Sequence, residues 1–140
     1  MSVAVRYQSR GGNTRAAAET LAEALGVKAE PITVPVTEPA DVLVLCGGTY
    51  AFKPDKEMSA FICSLDAGKA EKAYVLATAS GTKHGVNGMT AALQAKGITV
   101  ADSFLLRLGA QGNTLLGKKG GSLSEAQKTS VREFAAKIRA

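Results

Sequence analysis

Residues 3–25, VAVRYQSRGGNTRAAAETLAEAL, decide the fold. Val3-Ala4-Val5-Arg6-Tyr7 is a short apolar run that stops at Gln8-Ser9-Arg10-Gly11-Gly12. From about Asn13 to Leu25, apolar residues recur at helical spacing: Ala17, Leu21, Ala24, Leu25. Gly26 then offers a C′ stop, because glycine reaches the left-handed conformation without a Cβ penalty. A strand therefore feeds through a glycine turn directly into a helix.

The same alternation continues outward. Lys28–Ile32 reads as a short strand, and Pro31 inside it lacks the N–H of a ladder donor, which predicts an edge strand. Val34–Pro39 is turn-like. Asp41–Cys46 (DVLVLC) is the clearest buried strand and is expected to end at Gly47-Gly48. Met58, Phe61, Ile62 and Leu65 stand at i, i+3, i+4 and i+7, so Asp55–Leu65 is expected to be a helix with Asp55 as its N-cap. Tyr74–Ala79 is a strand that ends in the turn Ser80-Gly81-Thr82. Val86, Met89 and Leu93 mark a third helix, stopped near Gly97. Ile98–Leu108 is a long, bent strand region, followed by a glycine-rich loop from Gly109 to Gly121. Ser122 and Glu125 form a capping-box signature for a last helix. That helix carries Val131, Phe134, Ala135 and Ile138 on one face. The order β-α-β-β-α-β-α-β-α predicts an α/β doubly wound parallel sheet with helices on both faces.

With 140 residues, 46% hydrophobic and 21% charged, the chain suits one globular domain spanning 1–140 and can form a core without disulfides or metal. Two cysteines, Cys46 and Cys63, and one histidine, His84, give neither a disulfide framework nor metal-ligand spacing. Both thiols are expected to be small packing residues. No apolar run approaches the roughly 20 residues of a membrane span. The leading MSVAVRYQSR lacks the charge and apolar stretch of a signal peptide, so a cytoplasmic location is expected. Seventeen basic against twelve acidic residues leave a charge of +5, compatible with an anionic ligand or an acidic partner. The cations are scattered without an aromatic–basic stripe, which argues against nucleic acid.

Ligands of open α/β sheets bind outside the carboxyl ends of the strands. Three loops leave such ends: 8–13, 47–54 and 80–85. The first, Ser9-Arg10-Gly11-Gly12-Asn13-Thr14, puts glycines and hydroxyls at a helix N-terminus, where backbone N–H groups and the helix dipole favour a phosphate. No Gly-Lys-[Ser/Thr] follows, so it is no Walker loop. The second, Gly47-Gly48-Thr49-Tyr50-Ala51-Phe52-Lys53-Pro54, carries two aromatic rings. The third, Ala79-Ser80-Gly81-Thr82-Lys83-His84, carries none, and His84 is expected to be an exposed loop residue.

Val5-x-Tyr7-x-Ser9-x-x-Gly12-x-Thr14-x-x-x-Ala18-x-x-Leu21 resembles the N-terminal flavodoxin signature. Many flavodoxin-like proteins carry Tyr-x-Ser-x-Thr-Gly-Asn-Thr there. This chain has Gly11 where that pattern has threonine, which removes a hydroxyl donor, and Arg6 where the strand is usually apolar. The resemblance implies a flavodoxin-like five-stranded parallel sheet of order 2-1-3-4-5 with FMN at its switch point. It implies that Ser9, Gly12, Asn13 and Thr14 hold the phosphate, with Arg10 and Gly11 also among the cofactor-binding residues. Thr49, Tyr50, Ser80 and Gly81 would flank the isoalloxazine, with Tyr50 the first choice for stacking and Phe52 the second, and Gly48 is also among the cofactor-binding residues. No catalytic acid, base or nucleophile and no metal is implied. The implied function is electron transfer with a redox partner protein. Arg10, Arg15, Lys53 and Lys83 around the loops, and Lys118-Lys119 later, predict an acidic docking surface on that partner. An FMN-dependent oxidoreductase acting on a nicotinamide nucleotide or a quinone is the alternative, and a flavin-free binding module is a second one.

Overall fold

The computed structural model describes residues 1–50, 53–79, 84–108 and 123–139. Strand β1 (Val3–Gln8) leads into helix α1 (Asn13–Leu25), then β2 (Ala29–Pro31), β3 (Ala40–Tyr50) and the two-residue β4 (Lys53–Pro54). Helix α2 (Lys56–Ser64), a single 3₁₀ turn (Ala67–Lys69), β5 (Ala70–Ala79), α3 (His84–Ala95), β6 (Thr99–Arg107) and α4 (Glu125–Arg139) follow among the described residues. Five strands pair in parallel in the order β2-β1-β3-β5-β6. This is the 2-1-3-4-5 arrangement expected from the sequence. The sixth, β4, pairs antiparallel with the end of β3.

The period of two along the central strands sorts the core into two layers. Val42, Val44, Cys46, Tyr74 and Leu76 face α1 and α4, where Leu21, Phe134 and Ile138 meet them. Leu43, Leu45, Ala73, Val75 and Ala77 face α2 and α3, against Met58, Ile62, Met89 and Leu93. Phe134 anchors the first layer by stacking on Phe104 at 5.5 Å and meeting Tyr74 edge-on at 6.0 Å. Each fully buried leucine or isoleucine contributes roughly 1.5–3 kcal/mol by leaving water.

Two unusual strand residues have clear roles. Pro31 lies on the edge strand opposite Tyr7, as its missing N–H requires. Arg6 is buried, yet its guanidinium donates to the carbonyls of Val34 (2.8 Å), Pro35 (3.1 Å) and Val5 (3.2 Å) and lies 3.9 Å from Glu30. It thereby fastens the segment after β2 to the sheet, replacing water with fixed acceptors as a buried charge must.

The structure departs from the sequence expectation in four places. Gly47-Gly48 do not end β3, which runs on to Tyr50 and folds back through β4. These glycines serve close approach rather than a turn. A Cβ at Gly47 would lie 3.2 Å from Met89 Sδ, and one at Gly48 would lie 2.8 Å from Tyr50 Oη. The cap of α4 is Ser124: the Gln127 N–H donates to Ser124 Oγ at 3.1 Å, and the Ser124 N–H donates to Gln127 Oε1 at 3.0 Å. Of the expected pair, Glu125 is the first helical residue and Ser122 lies outside the described residues. Cys63 is exposed and not a packing residue, because the inward face of α2 is taken by Met58 and Ile62. His84 is the first residue of α3 rather than a loop residue, and it is exposed as expected. The bend expected in 98–108 is a bulge: Ala73 pairs with Val100 but Tyr74 with Asp102, which leaves Ala101 as the extra residue.

Candidate functional site

Strand order reverses between β1 and β3, since the chain moves outward to β2 on one side and to β5 and β6 on the other. The carboxyl ends of β1 and β3 therefore border the switch point, where α/β sheets open a crevice. The loop after β1 forms one wall. The β3–β4 hairpin and the start of α2 form the other.

The first wall is backbone chemistry. Gly12 sits at the N-cap of α1 with φ 99°, a left-handed conformation open to glycine and costly for other residues. No side chain caps α1. Its first intrahelical bond runs from the Ala16 N–H to the Gly12 carbonyl at 2.9 Å, so the amides of the preceding turn have no acceptor within the helix. Ser9 Oγ accepts from the Gly12 N–H at 2.9 Å and shapes the turn. Asn13 and Thr14 are buried at the helix start. Thr14 Oγ1 meets Thr78 Oγ1 at 2.7 Å inside the protein. Thr78 was not singled out from sequence, and the signal available was a lone hydroxyl in the apolar run Tyr74–Ala79. Since each hydroxyl has one proton and two acceptor sites, one threonine of the pair keeps its proton for a further acceptor. Gly11 is half-buried in the turn between Arg10 and Gly12.

The second wall is side-chain chemistry. Asp55 is fully buried and caps α2, accepting from the N–H groups of Glu57 (2.8 Å) and Met58 (3.4 Å). Its other oxygen accepts from Arg10 Nε at 3.0 Å. The Arg10 guanidinium lies over the Tyr50 ring, 3.9 Å from its centroid. Arg10, expected among the cofactor-binding residues, thus sends its side chain across to the opposite wall. The Tyr50 ring covers Gly48, and burial together with the nearby Asp55 carboxylate pushes its phenol pKa up against the opposing pull of Arg10. Thr49 Oγ1 is buried without a hydrogen-bond partner and stands against Gly85 in the first turn of α3. Lys53 is exposed on the hairpin and Lys56 at the start of α2.

Of the twelve residues expected at the cofactor, Ser9, Arg10, Gly11, Gly12, Asn13, Thr14, Gly48, Thr49 and Tyr50 fall on these two walls. Phe52, Ser80 and Gly81 lie outside the described residues, as do Lys83, Lys118 and Lys119. Among the described residues no cluster of His, Cys, Asp or Glu could hold a metal, and no helix is long and apolar enough to cross a membrane.

No protein-family model matches the chain, and no curated protein matches it in sequence. Solved structures do. The Trp repressor binding protein from Bacillus subtilis superposes with a TM-score of 0.63 at 16% identity, over 94% of this chain and 96% of that one. The NAD(P)H:quinone oxidoreductase from Methanothermobacter marburgensis gives 0.61 at 15% identity, covering 99% of this chain and 96% of that one. An NADH:FMN oxidoreductase in its apo form gives 0.65 at 17%, covering 99% and 89%. The parallel sheet of order 2-1-3-4-5, with two helices on each face and these structural neighbours, gives this chain the flavodoxin-like fold.

Proposed function

We propose that the chain binds FMN noncovalently at the β1/β3 switch point and serves in electron transfer. One observation carries the reading: the start of α1, with a left-handed glycine at its cap and no capping side chain, opens beside the switch point. Backbone N–H groups at a helix start and the positive end of the helix dipole fit a phosphate monoester. FMN, when bound, supplies the one- and two-electron chemistry, and the protein supplies binding, orientation and electrostatics.

The chain's own residues divide that work. The α1 amides, with Gly12 shaping the turn, receive the dianion. The Thr14–Thr78 pair presents a hydroxyl proton from a fixed position. Tyr50 gives an aromatic surface that excludes water from one side of the crevice. Exposed Lys53 and Lys56 leave the rim positive, which favours docking of an acidic protein and makes that docking weaken with salt. A second reading, an FMN-dependent oxidoreductase using a nicotinamide nucleotide or a quinone, draws on two structural neighbours that bear such names.

Fluorescence titration of the purified protein with FMN and with riboflavin tests the reading. Charge-assisted bonds to the phosphate contribute roughly 1.5–3 kcal/mol each, so FMN should bind at least about tenfold tighter. Equal affinities, or no binding of either, would overturn it. Stopped-flow mixing of the loaded protein with NADH or NADPH then separates the two redox readings, since a carrier is not reduced directly.

A further inference from the structure

We propose that Arg10 is the positioning residue of the crevice: it clamps the Tyr50 ring by its face and, through Asp55, joins the two walls into one unit. The inference rests on the flavin reading for its ligand, though not for its geometry. Arg10 belongs to the turn that precedes the open start of α1, where an arginine is well placed to grip a phosphate. Its guanidinium goes elsewhere. Nε donates to Asp55 at 3.0 Å, across 45 residues of sequence, while the planar group lies 3.9 Å from the Tyr50 centroid. Asp55 is immobile because it is fully buried and already holds two amides of α2. An anchored carboxylate fixes the guanidinium, and the fixed guanidinium fixes the ring. Gly48 makes room for the ring, since a Cβ there would lie 2.8 Å from the Tyr50 hydroxyl oxygen.

Charge sharpens the assignment. A buried carboxylate beside a phosphate site would repel a dianion, and its pairing with Arg10 neutralises it. Arg10 therefore acts on the ligand through Tyr50 and Asp55, without touching the phosphate. A planar guanidinium can make the ion pair and the stack together, whereas a lysine can make only the ion pair well.

Three variants test this, Arg10→Ala, Arg10→Lys and Tyr50→Phe, each titrated with FMN and riboflavin. In Arg10→Ala, loss of the cation–π clamp should weaken both ligands about three- to tenfold, FMN further than riboflavin because the Asp55 carboxylate is then unpaired, whereas Arg10→Lys keeps the charge and so the wild-type ratio of the two. Arg10→Lys should recover little of the loss. A fall for FMN alone would make Arg10 a phosphate ligand, and unchanged or tighter binding would make it an obstruction; either overturns the proposal. A flavin-free readout runs beside this. The chain has no tryptophan and three tyrosines, so near-ultraviolet circular dichroism isolates the Tyr50 contribution as the part altered in Tyr50→Phe. Arg10→Ala should abolish that same part in the protein without flavin, and its survival would overturn the clamp. If wild-type protein binds no flavin, the functional reading fails while the dichroism still decides the clamp.

Discussion

Helices α1 and α2 start at the ends of neighbouring strands, yet their first turns are built in opposite ways. At α2 a buried carboxylate, Asp55, takes two backbone amides and an arginine. At α1 the cap is a left-handed glycine with no side chain to offer. One N-terminus is capped by a side chain of the protein, and the other is not. The same dipole and the same kind of amides thus give a structural joint in one place and, on the proposed reading, an anion site in the other, according to a single residue at the cap. The cost differs as well: a filled cap adds stability, while an open one gives up roughly 1 kcal/mol that a ligand can restore.

Breaking the closed end should have the largest effect. Asp55→Ala loses the cap and the charge-assisted bond to Arg10, so unfolding in urea should show a loss of about 2–4 kcal/mol. Arg10, half-exposed, returns to water and limits the damage.

The buried threonine pair links the open end to β5 and ranks next. Thr14→Val leaves the Thr78 hydroxyl without its partner and should cost about 1–3 kcal/mol. Thr78→Val should cost a similar amount. The double variant should cost clearly less than the sum, because no orphan remains. Strict additivity in denaturation would show that the two hydroxyls are not coupled. At the open end itself, Gly12→Ala forces a Cβ into φ 99° and should lower stability by about 1–2 kcal/mol. The contrast with Asp55→Ala should appear in ligand binding, where Gly12→Ala reduces the preference for FMN over riboflavin.

A pH measurement sharpens the comparison from the core. Cys46 stands on β3 just before the hairpin, and burial pushes its thiol up to about 12 from an ordinary 9.0. A folded-state pKa above the unfolded one gives stability that is complete below about pH 9 and is lost as the pH rises toward 12. At pH 10 the loss should be about 1.4 kcal/mol, seen as the difference between wild type and Cys46→Ala. In the native protein at pH 8 a thiol reagent should modify Cys63 and spare Cys46.

Much of this was legible because local chemistry dictates it. Asp55 before an amphipathic run, Pro31 in a short strand and Gly26 after a helix each act within a few residues, and each behaves as read. Glycine misled where its reason was long-range: Gly47 and Gly48 looked like a strand end, but they make room for Met89 and the Tyr50 ring. The start of α4 was read from Ser122 with Glu125, whereas the reciprocal pair in the structure is Ser124 with Gln127. That pair goes with Leu123 buried before the helix and the Gln127 side-chain amide donating to the Arg107 carbonyl. On the binding side, the open start of α1 was readable from its glycines, while the direction of Arg10 and the partner of Thr14 were not. Both depend on residues 45 and 64 positions away, which no local pattern encodes.

The seat of the hairpin carries a consequence for motion. A side chain at Gly85 would run into Thr49, and one at Gly88 would come within 2.5 Å of Pro54. Two glycines one helical turn apart on α3 therefore let β3 and β4 rest on the helix backbone itself. Contact that close leaves no side-chain cushion to absorb a shift, so the strand end and the first turns of α3 must open together or not at all. In hydrogen exchange, the Asp55 amide, which bonds the Gly48 carbonyl at 2.9 Å, and the amides of Met89 and Thr90 should share one opening free energy. The wall of the crevice would then breathe as a single cooperative unit with the far side of the sheet.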